Sequence, residues 1–399
     1  MNYSKFSEDD PSIQHDQLAV LEEFGRFVSL ETKALLHPGT TSYDIVDTAR
    51  SYLYKKTWKE RIRPTVTQCI IKLCDLSEQS LHLLQVGRTH LQDTSPVIFG
   101  GGLAGYAARF AERTQKCDLA AEDLRGKVSG IVGTGASIEA VIGEGRAMEF
   151  EEAVLKKLEL QPDYTATQII QKERLADFGN TIVTLMAVLG DFADDVRKMY
   201  SSSIKEVTSR DNAERLGGSS ADALKNNPIQ YENIGGNVPV CVSGMHILYA
   251  LIQTDFQRDL RGSVEERYQP RMMLAQSYES FSRLSKALTQ LSINEDRLEA
   301  NLQSVRDNPS EAIVAILRGK GWVHSQYGEG HTFVKEMGKK SKKSGKNLIE
   351  TCLEDQEFLV VYDSLPEVKQ RIINGELELY LGDAEKRAKI NIENARKVL

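Results

Sequence analysis

Over long stretches the apolar and polar positions of this chain repeat at the period of a helix. Leu175, Phe178, Ile182, Leu185, Leu189, Phe192, Val196 and Met199 follow one another at steps of three and four, which puts them on one stripe of a single helix. A second stripe runs through Tyr278, Phe281, Leu284, Leu288 and Leu291. The spacing approaches a heptad and suits near-parallel packing of helices in a bundle. Proline is missing from residues 97 to 161, 163 to 227 and 271 to 308, so helices can run far there. Strand-like alternation is scarce. The pattern predicts an all-α protein with a central bundle of long helices over residues 43–298. A short N-terminal helical segment, 1–42, precedes the bundle, and a helical C-terminal domain, 299–399, follows it. There is no internal repeat and no low-complexity linker.

A chain of 399 residues is long enough for two or three domains with a substantial core. Its 57 acidic and 50 basic residues leave a net charge of -7, which argues against a nucleic-acid partner. The one basic run, Lys339 to Lys346, reads as a solvated loop. No apolar run reads as long enough to span a bilayer, and the polar, acidic start (Ser7, Glu8, Asp9, Asp10) is unlike a signal peptide. A cytoplasmic location and no membrane partner are expected. Cys69, Cys74, Cys117, Cys241 and Cys352 are odd in number and scattered, as reduced, buried thiols are. No Cys/His cluster has metal-ligand spacing, and neither a metal nor an organic cofactor is expected.

Three polar segments break the helical pattern. Gly218-Ser219-Ser220-Ala221-Asp222-Ala223-Leu224-Lys225-Asn226-Asn227-Pro228, with Glu232 just beyond, reads as a loop hinged at Gly217 and Gly218. Its hydroxyls can act as acid or base and its ammonium can hold a carboxylate, although an ordinary surface loop has the same composition. Gly87-Arg88-Thr89-His90-Leu91-Gln92-Asp93 follows an apolar helical run through Leu76, Leu81, Leu83 and Leu84. It offers a histidine beside a threonine hydroxyl, a proton donor or an anion ligand, or else a structural histidine. His37-Pro38-Gly39-Thr40-Thr41-Ser42-Tyr43-Asp44 is a hydroxyl-rich turn into a helix at Ile45. Thr41, Ser42 and Asp44 are good N-cap types, and amides at a helix start can also bind an anion.

Together, in this order and at these separations, the three segments resemble the fumarase/aspartase superfamily of lyases. His15-Asp16 ahead of His37, and Arg258-Asp259, Ser263 and Arg267, look like the adenylosuccinate lyase branch. Val132-Gly133-Thr134 and Thr167-Gln168-Ile169 are supporting segments. The resemblance runs from about residue 12 to about 300. It implies β-elimination releasing fumarate from an N-succinyl substrate, with adenylosuccinate and the succinyl-carboxamide ribotide of purine synthesis as the expected pair. It also implies a homotetramer whose active sites are assembled from three chains around a small nucleotide substrate.

Removing a proton next to a carboxylate yields an aci-carboxylate with a second negative charge, and stabilising that dianion is the main electrostatic task. By resemblance Ser219 is the base, His90 the general acid and Glu232 the carboxylate that holds the imidazole. Lys225 and Asn227, with Thr41 and Ser42, stabilise the dianion. His15 would sit on the nucleotide phosphate and His37 near the substrate, with Thr89 and Gln168 beside it. Arg258, Ser263 and Arg267 would hold the nucleotide end. An exposed N-terminal histidine is the alternative for His15. His82 and His246 read as helical and packed or exposed, and His324 and His331 carry no assigned role. The sequence departs from the branch at Asp222-Ala223, where it has Met-Pro, and at Leu224 and Asn226, where it has His and Arg. Only Met1 to Gln14 precede His15, so a truncated N-terminal domain is expected, without the Arg-Tyr pair that contacts the substrate phosphate in that branch. A sister lyase acting on another amine adduct and a non-catalytic scaffold remain the alternatives.

Overall fold

The computed structural model describes residues 16–210 and 225–399. Six helices dominate: α1 Ser42–Thr57, α2 Arg63–Gln79, α3 Phe99–Glu122, α4 Glu173–Met199, α5 Ile229–Ala250 and α6 Arg271–Gln290. Three further helices, α7 Glu295–Asp307, α8 Ser310–Gly319 and α9 Gly330–Ser344, begin the C-terminal region. The strands among the described residues form short pairs, of which the hairpin β1 Leu84–Thr89 with β2 Gln92–Ile98 is the longest. The all-α expectation with long helices therefore holds.

The stripe on α4 is the core face. Leu175, Phe178, Ile182, Leu185, Leu189, Phe192 and Val196 are each at most 5 % exposed, and only Met199 at the last turn is half-buried. By length and composition α4 could cross a membrane, so the expectation that no run is long enough is corrected. Its stripe is buried in protein while Asp177, Asp191 and Asp194 are exposed, the disposition of a core helix. On α6 the stripe is Phe281, Leu284, Leu288 and, just past the helix end, Leu291, whereas Tyr278 is 45 % exposed and Ser277 and Ser280 are buried in its place. Small hydroxyls that bond back to the helix, as Ser277 Oγ does to Met273 O at 2.7 Å, fit where a bulky ring would not.

Three other boundaries differ from the pattern. Helix α1 begins at Ser42, ahead of Ile45, because Thr41 caps it: the Thr41 N–H donates to Asp44 Oδ2 at 2.6 Å. The basic run is not a loop through to Lys346. Residues up to Ser344 form the last turns of α9, whose buried face is Phe333, Val334, Met337 and Ser341. The apolar run before Gly87 is helical only to Gln79, so His82 lies in a turn and Leu84 starts a strand. Between α1 and α2 the residues Trp58–Ile62 form a π turn. Pro64 follows, and its missing N–H removes one bond from the helical ladder there.

The chain divides into two compact units. The first is Met1–Pro64, Gln115–Met186 and Asn237–Glu279; the second is Thr65–Thr114, Ala187–Gly236 and Ser280–Leu399. In the first, fully buried Trp58 donates from Nε1 to Asp118 Oδ1 at 2.8 Å. In the second, rings pack edge to face from Phe281 to Phe110 at 5.7 Å, and from Tyr106 and Tyr231 to Phe192 at 5.1 and 6.5 Å.

Candidate active site

In the first unit the structure gathers Tyr43, Gln168, Arg258 and Ser263. Tyr43 is the second residue of α1, and its hydroxyl is 2.7 Å from Ser263 Oγ. Arg258 Nη2 donates to the same Oγ at 2.8 Å and its guanidinium lies 3.7 Å from the Tyr43 ring centroid. Arg258 Nη1 also reaches Gln168 Oε1 at 3.4 Å. The guanidinium is thus oriented by an aromatic face and a hydroxyl, with polar donors left for an anion. Arg267, expected beside it, is exposed. Asp259 is held down to about 2 by hydrogen bonds from Arg261, so the segment carries a fixed negative charge already engaged by arginine.

Beneath this segment lies a buried charge network. Lys172 donates to Asp47 Oδ1 at 2.9 Å and to Glu266 Oε1 at 2.8 Å, and Arg50 also binds Glu266. Asp47, Glu266 and Lys172 are 1, 2 and 5 % exposed. Burial alone would lower the Lys172 ammonium, but Asp47 and Glu266 overcome it and hold it above the usual lysine value. The network ties α1 to the turn that carries Arg258 and to the short helix Arg261–Glu265 that carries Ser263. Sequence reasoning missed these four residues. Asp47 and Arg50 at i, i+3 beside the Thr-Ser segment were the available signal.

The turn before α1 is ordered by its own polar groups. His37 Nδ1 and Thr40 Oγ1 are hydrogen-bonded at 2.7 Å, and Ser137 Oγ donates to Gly39 O at 2.6 Å. Thr41 and Ser42 are half-buried. Gly133, in the supporting segment, has φ +81°, and a Cβ there would stand 2.2 Å from Ala166 O. Only glycine lets that loop lie against residues 166–169.

In the second unit His90 and Leu91 are the two residues of the β1–β2 turn, since Thr89 pairs with Gln92. Their φ values are 54° and 60°, the primed-turn geometry that suits glycine or asparagine. Holding a histidine and a leucine there is strain of the sort found at functional sites. Both side chains are exposed. The hairpin is anchored by Arg88, whose Nη1 and Nη2 donate to Glu206 at 3.0 and 2.7 Å. Glu206 is fully buried and also accepts from Gln85 at 2.6 Å and Asn301 at 2.8 Å. Beside the turn opens a cavity of about 540 Å³ lined by Val86, Leu103, Tyr106, Phe192 and Asp195 among others. In it the Tyr106 hydroxyl donates to Asp195 at 2.6 Å, and burial with that carboxylate pushes the phenol well up.

Thr89 is exposed at the end of β1, Lys225 is exposed, Asn227 is half-buried, and Glu232 is exposed in the first turn of α5. Glu232 and His90 make no hydrogen bond to each other within the chain. His15 and Ser219 lie outside the described residues, as do Asp222, Ala223 and Leu224. His324, given no role above, is buried, with Nδ1 accepting from the Gln326 and Tyr327 amides at 3.0 and 3.1 Å and Nε2 3.2 Å from Asp355. Among the described residues no group of three or more His, Cys, Asp or Glu could hold a metal ion.

The sequence model of the lyase family matches residues 12–241. Adenylosuccinate lyase of Thermotoga maritima is 26 % identical over 369 residues, covering 91 % of this chain and 82 % of its own. Adenylosuccinate lyase of Pyrococcus abyssi is 29 % identical over 365 residues, covering 89 % and 77 %. Among solved structures, the 3-carboxy-cis,cis-muconate lactonizing enzyme of Pseudomonas putida superposes with a TM-score of 0.84 over 100 % of this chain and 86 % of its own, at 18 % identity. That last likeness is one of fold.

Proposed function

We propose that this chain, which belongs to the lyase family of the fumarase/aspartase superfamily, releases fumarate by β-elimination from an N-succinyl substrate, and that the substrate is adenylosuccinate, cleaved to AMP and fumarate. The observation that carries the reading is the oriented guanidinium of Arg258 on Tyr43 and Ser263, in a chain similar to adenylosuccinate lyases over about nine-tenths of its length. An arginine already stacked and hydrogen-bonded loses little freedom on binding a phosphate or a nucleotide's polar edge.

In this reading Ser219 takes the proton from the carbon next to the carboxylate. Thr41, Ser42, Lys225 and Asn227 hold the aci-carboxylate, where fixed donors lower the barrier most. His90 gives a proton to the leaving nitrogen. Its place on a two-residue turn fixes the imidazole at the hairpin tip. Thr89 and Gln168 line the substrate, His15 lies at its phosphate and His37 lies near it. The site is completed by other copies of the chain in a homotetramer, which is how Glu232 reaches a His90. Ile229, Val240, Val242 and Tyr249 of α5 are 39 to 53 % exposed, apolar surface on two sides of the helix that supports packing against other subunits. The reading places the enzyme in the cytoplasm, in purine synthesis.

The decisive experiment is incubation with adenylosuccinate while fumarate and AMP are measured. Fumarate release that also reappears on mixing inactive His90→Ala with inactive Ser219→Ala subunits is the expected result. A protein that leaves adenylosuccinate intact but frees fumarate from another N-succinyl amine would favour the sister-lyase reading. That reading draws its support from Leu224 and Asn226, which replace the branch's imidazole and guanidinium.

A further inference from the structure

Lys127 enters none of the steps above, yet it is one of the most deeply placed charges in the first unit. Its side chain has no exposure, and its ammonium binds the Asp44 carboxylate and donates to Gly130 O at 3.0 Å. Asp44 is 3 % exposed. Besides the ammonium it accepts from the Thr41 N–H at 2.6 Å, the Ser129 N–H at 3.0 Å and the Gly130 N–H at 3.2 Å. One carboxylate therefore joins the turn that opens α1 to a loop 85 residues further along the chain.

The ammonium is not what keeps this stretch of chain beside α1. Thr48 ties residue 127 there without it: the Lys127 N–H donates to Thr48 Oγ1 at 3.0 Å and Thr48 Oγ1 donates to Lys127 O at 2.9 Å. The Val128 N–H is satisfied by Glu151 at 2.7 Å. A hydrophobic side chain could fill the space of Lys127 without the desolvation penalty that a buried charge carries. What only a cation supplies here is neutralisation of Asp44. Without it, the carboxylate that organises both segments would stand as an uncompensated negative charge just behind Thr41 and Ser42, repelling any anion placed on them. The two segments also touch directly. Ser137 Oγ donates to Gly39 O at 2.6 Å, and Gly130, at φ +79°, would bring a Cβ within 2.7 Å of that Ser137 Oγ.

We infer that Lys127 is a positioning residue which, through Asp44, locks residues 37–42 and 129–135 into one preformed, charge-neutral cradle for a carboxylate of the substrate. The identity of that carboxylate rests on the function proposed above.

The test uses Lys127→Met and the double variant Lys127→Met/Asp44→Asn, which removes both charges and so keeps a folded protein in hand if the single change leaves Asp44 too costly to bury. Amide hydrogen exchange is read on peptides covering 37–43 and 128–135, with α3 as the internal reference. Both segments should exchange at least tenfold faster in both variants while α3 is unchanged. Inhibition by fumarate and by AMP is measured in parallel. Fumarate should bind at least tenfold more weakly and AMP within twofold of the wild type, because only the carboxylate cradle is disturbed. Unchanged exchange, loosening of one segment alone, or equal weakening of both ligands would overturn the inference. Failure of the wild-type protein to release fumarate from adenylosuccinate defeats the proposed substrate instead, and the exchange result then decides the role of Lys127 by itself.

Discussion

Replacing Lys172 by methionine puts a number on the buried network under the Arg258 segment. The side chain keeps its length and loses its charge. Asp47 is left with the Ile170 N–H at 3.0 Å, while Glu266 retains Arg50. Breaking a buried pair by removing one partner costs about 3–5 kcal/mol; because one of the two carboxylates keeps its guanidinium, the loss should fall near the lower end, about 3 kcal/mol. The pH dependence has a definite sign. The folded-state value of Lys172 is raised above the ordinary one, so its contribution is complete at every pH below the usual lysine value, about 10.4, and fades only as pH rises through the folded value. The gap between wild type and variant should be constant from pH 6 to about 9 and close in strong alkali. The chain has two tryptophans, and Trp58 lies in the first unit and Trp322 in the second. Urea unfolding followed by fluorescence in a Trp322→Phe background therefore reports on the unit that contains Lys172. The double variant Lys172→Met/Asp47→Asn should recover much of the loss. A single variant within about 1 kcal/mol of wild type, the range of a surface pair, or a gap that already closes between pH 6 and 8, would refute the reasoning.

Two further outcomes follow from the second unit and the thiols. Glu206→Gln weakens the charge-assisted anchor of Arg88 and should lower turnover by tenfold to about a hundredfold by loosening the His90 turn; AMP inhibition should be unchanged, and a variant with wild-type turnover would detach the hairpin from catalysis. Burial pushes the Cys69 and Cys352 thiols up to about 12 and Cys241 to about 11, so the native protein at pH 8 should give next to no colour with a disulfide reagent while denatured protein gives five thiols; fast labelling of native protein would contradict the burial.

The helical architecture was legible because it depends on short-range periodicity. The α4 stripe from Leu175 to Val196 is the core face in the structure, and the proline gaps hold α3, α4 and α6, although α5 runs through Pro239. What a local pattern cannot carry is pairing between distant residues. Ser277 and Ser280 look like surface hydroxyls in the sequence and are buried on α6, because helix hydroxyls can satisfy themselves on their own backbone. His90 stands out in the sequence for its neighbours, yet its strained two-residue turn depends on the Thr89–Gln92 register and on a glutamate at 206. Nothing near residue 90 in the sequence announces either.

The same asymmetry separates the residues that touch substrate from those that arrange them. The proposed contacts are hydroxyls, amides and cations clustered in short segments, and short segments can be recognised. Their supports are buried carboxylates, Asp44, Asp47, Glu206 and Glu266, each collecting donors from residues distant in the chain. A buried carboxylate left unpaired is expensive, so each one requires its full set of donors and thereby fixes where those stretches lie. Lys127, Lys172 and Arg88 meet that requirement with charge as well as hydrogen bonds. A neutral acceptor could hold the same backbone amides, but it would not demand a cation, and without that demand the loops around Thr41, His90 and Arg258 could drift. The prediction contained in this is one of order: variants of the supporting carboxylates should loosen the segments they hold before they unfold the helices. Helix content followed by circular dichroism should therefore survive to temperatures at which exchange in residues 37–43, 86–93 and 256–267 has already lost its protection. Coincident loss of both in Asp44→Asn, Glu206→Gln and Glu266→Gln would make these carboxylates part of the global fold and not keepers of the site.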